Sequence, residues 1–301
     1  MELVKKIDLH AHAIFGKGLT WPNGYDLVSA EELMEIYDNL GIDHAVLLPL
    51  QSPDCMYECS TNRECMQIAA KYPERFHWFC NVDPRMGLNS TDTDFVRVLE
   101  YYKALGAKGV GELIANVYFD DPRTLKLLAA CEACDMPVLF HVGDMGSDYG
   151  LVDELGLPRL EKALQMFPRL KFIGHSQKFW AEISGDVNEQ VRAGYPTGPV
   201  APGGRVVELL RRYPNLYCDL SADSGCNAMM RDPEHACVFL EEFADRIFYG
   251  MDLCCPQNVK NVLAKLPGFL DDAVLNGKIS YEAYVKISRD NVLKLLGVSA
   301  L

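Results

Sequence analysis

Eight short apolar segments recur along the chain, each bounded by turn residues and followed by a longer stretch with helical periodicity. Each segment is almost continuously apolar, which is typical of strands covered on both faces. Regular alternation of such strands with helices indicates βα units and a parallel sheet. The predicted strands cover residues 6–12, 44–49, 76–83, 107–113, 137–143, 171–176, 216–221 and 247–252. The predicted helices between them include residues 30–40, 62–72, 94–105, 122–134, 152–167, 205–213 and 232–243.

This pattern predicts an α/β fold in which the eight strands close into a single (β/α)8 TIM barrel. Neither a linker nor a change of composition separates the two halves of the 301-residue chain. Barrels of this kind often occupy such a length as one domain, so we expect one domain over residues 1–301. An open α/β sheet is the alternative architecture.

Charge and cysteine content restrict the function further. Lysine and arginine number 29 against 42 acidic residues, a net charge of −13, which disfavours binding to nucleic acid or to an anionic membrane. Eleven cysteines cannot all pair within one chain, and no apolar stretch approaches the 18 residues of a membrane-spanning helix. We therefore expect reduced thiols, a cytoplasmic location and a small-molecule substrate, and the sequence leaves a homodimer open.

Histidines and carboxylates stand at the carboxyl ends of the predicted strands. His10 and His12 lie two residues apart on the first strand, so their side chains point to the same face. The active sites of (β/α)8 barrels are built at this rim, from residues of several strands. Any one of these histidines alone would be interpreted as a core residue, but the set favours a site. The candidates are His10, His12, Glu112, His141, His175 and Asp252.

These residue types suit a divalent transition metal, with zinc as the first expectation. A bound metal with an open position lowers the pKa of its water to about 7 and so supplies a nucleophile. Asp252 is predicted to take the proton from that water and to deliver it to the leaving group. His175 is predicted either to bind the metal or to polarise the substrate.

Several segments resemble a known family. They are IDLHAH (7–12), FHVGD (140–144), KFIGHS (171–176), NLYCDLSA (215–222), FYGMD (248–252) and RDNVLKLLG (289–297). The chain resembles the amidohydrolase superfamily, and within it the amidohydrolase-related metal-dependent hydrolases, which include aminocarboxymuconate-semialdehyde decarboxylase. The resemblance spans nearly the whole chain. It implies that His10, His12 and His141 bind metal, that His175 is a ligand or faces the substrate, and that Asp252 is the catalytic acid and base.

Two positions depart from the family pattern. Met251 stands where the family often has Thr or Ser, and Glu112 stands where binuclear relatives place a carboxylated lysine or a glutamate. Glu112 is therefore interpreted as a ligand that bridges to a second ion, as a carboxylate that orients a ligand histidine, or as a partner of Lys108. We expect one metal ion per chain, or two if Glu112 bridges.

The resemblance leaves the reaction open. Hydrolysis of an ester, lactone or amide is the first hypothesis, and non-oxidative decarboxylation of a small aromatic or unsaturated acid is the alternative. A TatD-like nuclease is less favoured because of the negative charge, and a non-catalytic binding barrel is disfavoured because the proton-transfer residues are present.

The predicted substrate contacts are not among the strand-end residues. Residues 177–204 form a long segment rich in glycine and proline, which is typical of a functional loop. Phe179, Trp180 and Tyr195 are predicted to form a lid over a flat substrate, or else to pack the loop onto the barrel. Arg63, Arg205 and Arg231 are candidate partners of a substrate carboxylate, of which Arg231 is the best placed, with surface ion pairing as the alternative for each. The remaining rim residues Cys254 and Cys255 are interpreted as pocket lining, with thiolate ligation as the alternative.

Overall fold

The computed structural model describes residues 2–54, 57–146 and 149–298. Within them, parallel strands alternate with helices along the chain, as the sequence predicts. The strands are β1 (Lys6–Ala11), β2 (Ile42–Leu47), β3 (Phe76–Trp78), β4 (Val110–Leu113), β5 (Val138–Gly143), β6 (Leu151–Val152), β7 (Phe172–His175), β8 (Leu216–Asp219) and β9 (Ile247–Phe248). Short β6 pairs only with β5 in the described sheet, and the other eight correspond to the eight predicted strands.

Two sheets contain the barrel strands. One has the order β1-β2-β3 and the other the order β4-β5-β7-β8-β9. At the first seam, the backbone N–H of Cys80 donates to the Gly109 carbonyl at 2.9 Å. At the second, Leu9 N–H donates to the Tyr249 carbonyl at 3.0 Å. These hydrogen bonds join the two sheets on both sides, so the strand ends face one common axis.

The helices begin and end at recognisable capping residues. The Ser29 side chain accepts from the backbone N–H of Glu32 in a capping box, and Gly41 ends the same helix with a φ of 71°. The helices are α1 (Ala30–Leu40), α2 (Asn62–Lys71), α3 (Phe95–Ala104), α4 (Pro122–Ala133), α5 (Pro158–Met166), α6 (Gln177–Ala181), α7 (Glu189–Arg192), α8 (Arg205–Arg212), α9 (Ala222–Met230), α10 (Pro233–Glu242), α11 (Leu266–Leu275), α12 (Tyr281–Val285) and α13 (Asn291–Leu296). None of the helices in the described ranges has the length and apolar content needed to cross a membrane.

Buried apolar side chains fill the interior of the barrel. The inner cluster consists of Ile7, Leu9, Val46, Leu48, Phe79, Leu139, Ile173, Phe248, Val292 and Leu296. The last two belong to α13, which therefore packs against the strand interior. A larger cluster lies between the strands and the surrounding helices. The two apolar layers hold the strands in place, and the polar site is built where the strands end.

Some predicted boundaries differ from the structure. The third predicted strand runs to residue 83, but β3 ends at Trp78. The eighth runs to residue 252, but β9 covers only Ile247–Phe248. The predicted helix at 152–167 begins at Pro158, because Val152 is taken up in β6. In each case pairing with a neighbouring strand, which periodicity does not report, decides the boundary.

Candidate metal centre

Six strand-end side chains meet at one end of the barrel. Their donor atoms form overlapping groups in which all atoms lie within 4.8 Å of one another. The members include His10 and His12 at the end of β1, Glu112 of β4, His141 of β5, His175 of β7 and Asp252 after β9. Five of them are buried, and the Asp252 side chain is 17% exposed. The structure thus brings together all six residues that the sequence singles out at strand ends.

The spacing of the inward-facing atoms is that of ligands around a common ion. The Nε2 atoms of His10 and His12 are 3.2 Å apart. Asp252 Oδ1 lies 3.0 Å from His12 Nε2 and 3.6 Å from His10 Nε2. Glu112 Oε2 lies 3.5 Å from His10 Nε2. Ligand atoms about 2.0–2.2 Å from one ion stand roughly 3–3.5 Å apart, so the cluster has the right size for a metal.

Three of the four imidazoles are held from behind by Nδ1. His12 Nδ1 donates to the Leu48 carbonyl at 2.8 Å. Asp219 accepts from two more, with Oδ2 3.0 Å from His10 Nδ1 and Oδ1 3.1 Å from His175 Nδ1. Because these partners only accept, the neutral rings of these three carry their proton on Nδ1 and turn the Nε2 lone pair inward. His141 differs, since its Nδ1 lies 3.0 Å from Glu112 Oε1 within the cluster.

The facing nitrogens of His10 and His12 test whether a cation fits. In the neutral rings their Nε2 atoms, 3.2 Å apart, both present lone pairs, which repel each other unless a proton or a cation lies between them. A divalent metal removes this repulsion, since it accepts both electron pairs. The residues present therefore fit the metal that the sequence predicts.

The charges of the cluster also favour a cation. Burial raises the pKa of Glu112, but hydrogen bonds and positive charge from His10 and His141 outweigh it and hold that pKa below its ordinary value. The pKa of Asp252 is lowered in the same way by His10, His12 and His175 against the effect of burial. Ionised carboxylates in a buried site need a positive partner, which protonated imidazoles supply in the metal-free site and a metal would supply when bound.

The position of Glu112 is compatible with both of the main roles predicted for it. Its Oε1 accepts from His141 Nδ1, so it orients that imidazole. Its Oε2 faces His10 and His12, so it also stands in a ligand position. Its described contacts are with histidines rather than with Lys108, its third predicted partner.

Asp8 and Asp219 support the cluster, and sequence reasoning missed both. Asp8 Oδ1 accepts the backbone N–H groups of His10 at 2.7 Å and Met251 at 2.9 Å, and its Oδ2 accepts from the Tyr37 hydroxyl. Burial raises the pKa of Asp8 to about 7, although these donors lower it. Asp8 ties β1 to the segment that carries Asp252. Asp219 ends β8 and so met the strand-end criterion that selected the other six.

A cavity of about 320 Å³ opens above the cluster, with His12, Glu112 and Asp252 at its floor. Its walls are rich in aromatic rings, and Trp21 and Tyr57 lie with ring centroids 6.3 Å apart. The aromatic lining consists of Trp21, Tyr25, Tyr57, Tyr149 and Tyr195. Neither lysine nor arginine occurs among the described residues that line it. The cavity suits a flat substrate whose polar group reaches the carboxylates and imidazoles below.

The family model for amidohydrolases matches residues 7–297. The chain belongs to the amidohydrolase family. A search of curated proteins found no match. Structurally similar proteins with TM-scores above 0.5 include the following three. An uncharacterised TIM-barrel protein from Bordetella bronchiseptica is 18% identical, with 98% of this chain and 99% of that chain covered and a TM-score of 0.67. A probable 2-pyrone-4,6-dicarboxylic acid hydrolase from Acinetobacter baumannii is 16% identical, with 98% of this chain and 100% of that chain covered and a TM-score of 0.54. A dihydroxybenzoic acid decarboxylase from Polaromonas sp. with bound manganese is 18% identical, with 98% of this chain and 97% of that chain covered and a TM-score of 0.57.

At these identities the likeness shows the fold, which confirms the predicted TIM-barrel class. The family match confirms the resemblance seen in the sequence and identifies this amidohydrolase as an enzyme of the superfamily. The superfamily neighbours include both a hydrolase and a decarboxylase.

The predicted substrate contacts of the amidohydrolase divide into two groups. Tyr195 lines the cavity, and its hydroxyl accepts from Gln177 Nε2 at 3.2 Å. Phe179 and Trp180 do not line it, which corrects the predicted lid. Helix α6 begins directly after β7, so both rings turn into the core, and Trp180 Nε1 donates to the Asp219 carbonyl at 3.1 Å. They pack the loop onto the barrel.

Arg231 also lies away from the cavity. It follows α9 and lines a separate pocket on the far side of Tyr195. Its Nε and Nη2 atoms are buried without a hydrogen-bond partner among the described residues. Burial lowers the pKa of the guanidinium, although Asp186 and Asp232 act against this. Tyr195 lines both the pocket of Arg231 and the cavity above the cluster. Contact between Arg231 and a substrate in the cavity would therefore need a movement of Tyr195.

Proposed function

We propose that this amidohydrolase is a metal-dependent hydrolase that adds water to the carbonyl of a small ester, lactone or amide. The observation that carries the proposal is the convergence of four imidazoles with Glu112 and Asp252 at the floor of one cavity. Such a donor set, open to a substrate-sized space on one side, is the arrangement that metal-dependent hydrolysis needs.

His10, His12, His141 and Glu112 would hold the metal, with His175 and Asp252 beside them. A bound divalent metal supplies a Lewis acid and a water of lowered pKa. Zinc is our first expectation, because imidazole nitrogen is the main donor. Manganese is present in the similar decarboxylase from Polaromonas, so the metal of this chain is best decided by elemental analysis.

Asp252 is the proposed general base and acid. Among the cluster carboxylates it has the larger exposure, with 17% of its side chain accessible against 4% for Glu112. It reaches the cavity while Oδ1 stays 3.0 Å from His12 Nε2, so it borders both the cluster and the substrate space. From there it can take a proton from the attacking water and return it to the leaving group.

His175 is the proposed partner of the substrate carbonyl or a further ligand. Asp219 and Ser221 fix its Nδ1 side, so its Nε2 points toward the cluster, 3.5 Å from Asp252 Oδ2. As a neutral ring, His175 presents the Nε2 lone pair and would serve as a ligand, and as an imidazolium, with a second proton on Nε2, it would donate to an oxygen on which negative charge develops.

The substrate proposed from the cavity is flat and uncharged. Aromatic walls favour a planar group through stacking, and neither lysine nor arginine stands among the described lining residues to pair with a carboxylate or a phosphate. An aryl ester or an unsaturated lactone has this chemistry. The same lining argues against a nuclease, as does the net charge of −13.

Decarboxylation of an aromatic acid is the second candidate. The aromatic walls favour it, since they suit a benzoate ring as well as an aryl ester. In that reaction Asp252 would manage the proton that replaces the carboxylate. Decarboxylation is the less favoured of the two reactions, because neither lysine nor arginine stands among the described lining residues to bind the carboxylate.

The test compares wild type with Asp252→Asn on a panel of aryl esters, lactones, amides and aromatic acids. We expect hydrolysis by wild type, and a kcat at least about 10²-fold lower in a folded, metallated Asp252→Asn variant. The matched control is Asp144→Asn, since Asp144 also follows a strand but pairs with Lys178 outside the cavity. Release of CO2 from an aromatic acid without hydrolysis of the other substrates would select the decarboxylase. Near-normal turnover by Asp252→Asn would assign the proton to another group.

A further inference from the structure

Cys254 lies beside the proposed metal ligands. It follows Asp252 by two residues, and its half-buried side chain lines the same cavity. Its Sγ is 3.2 Å from Asp252 Oδ1. The donor atoms of Cys254, Asp252 and His12 form a group in which all atoms lie within 4.8 Å of one another. The thiol thus stands at the edge of the cluster, on the side that faces the substrate space.

The spacing of Cys254 and Asp252 suits two ligands of one ion. A sulfur about 2.3 Å and an oxygen about 2.1 Å from a common metal, at an angle of roughly 90–110°, stand about 3.1–3.6 Å apart. The observed 3.2 Å falls within that range. The same Asp252 oxygen lies 3.0 Å from His12 Nε2, so one carboxylate oxygen borders both of the other donors.

The neighbouring Cys255 has no such position. Its side chain is buried and is absent from the candidate ligand groups of the described residues. The backbone N–H groups of both cysteines donate to Asn258 Oδ1, at 3.1 Å for Cys254 and 2.8 Å for Cys255. Asn258 therefore fixes this short segment with one cysteine turned toward the cluster. The pair gives a test residue and a matched control in adjacent positions.

We propose that Cys254 is an additional ligand of the metal centre and that its sulfur makes the site select zinc or cobalt over manganese. On binding, the thiol loses its proton to solvent and a sulfur–metal bond replaces the S–H bond. Soft thiolate ligands favour zinc and disfavour manganese, which prefers oxygen donors. This inference rests on the proposed metal dependence. It departs from the family pattern, which uses no cysteine ligand.

Cobalt spectroscopy tests the ligand directly. The full-length protein is stripped with a chelator and loaded with Co²⁺, as wild type, Cys254→Ser and Cys255→Ser. Visible d–d bands report any bound cobalt, and a near-ultraviolet thiolate-to-cobalt charge-transfer band reports sulfur ligation. We expect both signals in wild type and Cys255→Ser. We expect Cys254→Ser to keep the d–d bands and to lose the charge-transfer band, and Cys254→Ala to behave in the same way.

The two proposals fail in different ways. Absence of d–d bands from all variants would overturn the metal centre itself, and the cysteine ligand with it. Visible bands without charge transfer in wild type would overturn only the role of Cys254. A charge-transfer band that persists in Cys254→Ser would assign the sulfur to another cysteine and would also overturn it.

Metal competition provides a second readout that does not depend on activity. Zinc and manganese affinities are measured for each variant against a chelator of known affinity. We expect the zinc-to-manganese affinity ratio to fall about 10–100-fold in Cys254→Ser, the scale at which loss of a site residue alters metal binding. Cys255→Ser should keep the wild-type ratio. An unchanged ratio in Cys254→Ser would contradict the proposed selectivity.

Discussion

Asp219 shows how much of the candidate site depends on one residue that touches neither the cavity nor the inward donor atoms. Its two carboxylate oxygens accept from His10 Nδ1 and His175 Nδ1, and it is completely buried. Burial raises its pKa, but the two histidines outweigh that effect and hold the pKa below its ordinary value. A single carboxylate therefore sets the ring orientation and the tautomer of two imidazoles.

We predict that Asp219→Asn weakens metal binding about 10–100-fold. The two histidines face different oxygens of Asp219, and the amide replaces one of these oxygens by an NH2 group, which donates to an Nδ1–H position instead of accepting from it. One imidazole must then rotate or change tautomer, and its Nε2 lone pair is lost to the cluster. Chelator competition measures the affinity, and Asp144→Asn serves as the control of the same chemistry. Unchanged affinity in Asp219→Asn would show that the histidines are held by packing alone.

At the scale of secondary-structure elements, the barrel could be predicted from the sequence because the pattern that indicates each strand is local. Each strand is a continuous apolar run, and His10, Glu112 and Asp252 end such runs or follow them closely. The roles of the supporting carboxylates were not accessible in the same way. Asp219 also ends a strand, but its position behind His10 and His175 depends on the register between strands far apart in sequence, as does the bond between Asp8 and the backbone N–H of Met251. No local pattern reports that register.

The loop after β7 illustrates the same limit. Glycine and proline identify residues 177–204 as irregular, but they do not say which side chains face the barrel. Buried Arg192 donates through Nε to Glu182 Oε1 at 2.7 Å and through Nη1 to the Asp153 carbonyl at 2.8 Å. These hydrogen bonds hold the loop against the barrel. Of the loop residues predicted to contact the substrate, Tyr195 lines the cavity.

We predict that Arg192→Ala lowers the free energy of unfolding by about 3 kcal/mol, because it leaves Glu182 buried without its charged partner. Urea unfolding measures the change. The control is Arg211→Ala, which removes an exposed ion pair to Glu242 and should cost less than about 1 kcal/mol. Equal effects of the two substitutions would contradict a structural role for the buried pair.

The neighbouring strands β2 and β3 carry a histidine pair that makes stability depend on pH. His44 Nε2 lies 2.7 Å from His77 Nδ1, and His44 Nδ1 donates to the Glu74 carbonyl. Burial, together with the charge of His77, lowers the pKa of His44 to about 4. Between pH 6.5 and 4 the unfolded chain therefore binds more protons at His44 than the folded chain does. This contribution to stability is present above pH 6.5 and is lost as the pH falls toward 4.

We predict that His44→Asn makes stability less dependent on pH in this window. The asparagine can keep the bond to the Glu74 carbonyl but does not titrate. In wild type, the decrease in the free energy of unfolding assigned to His44 is up to about 3 kcal/mol, at 1.36 kcal/mol for each unit of pKa shift. Denaturant unfolding at several pH values between 4 and 7 measures both slopes. Parallel curves for the two proteins would contradict the assignment.

For the whole molecule, the candidate ligands connect parts of the chain that are distant in sequence. His10, Glu112 and Asp252 come from the beginning, middle and end of the barrel, and their donor atoms meet within a few ångströms. A metal at this point would therefore link strands all around the axis. Without it, ionised carboxylates and facing lone pairs remain buried together, which costs stability.

We predict that metal removal destabilises the entire barrel and not only the site. A ligand that binds the folded state alone stabilises it by about 2.7 kcal/mol at a concentration 100 times its Kd. At about 2 °C or less for each kcal/mol in a chain of this size, zinc should raise the Tm of the stripped protein by about 3–5 °C. Differential scanning calorimetry with and without zinc measures the shift. His12→Ala, which removes a donor at the centre of the cluster, should show little of it. If the stripped wild-type protein melts at the same temperature with and without zinc or manganese, the convergent histidines do not form a metal centre.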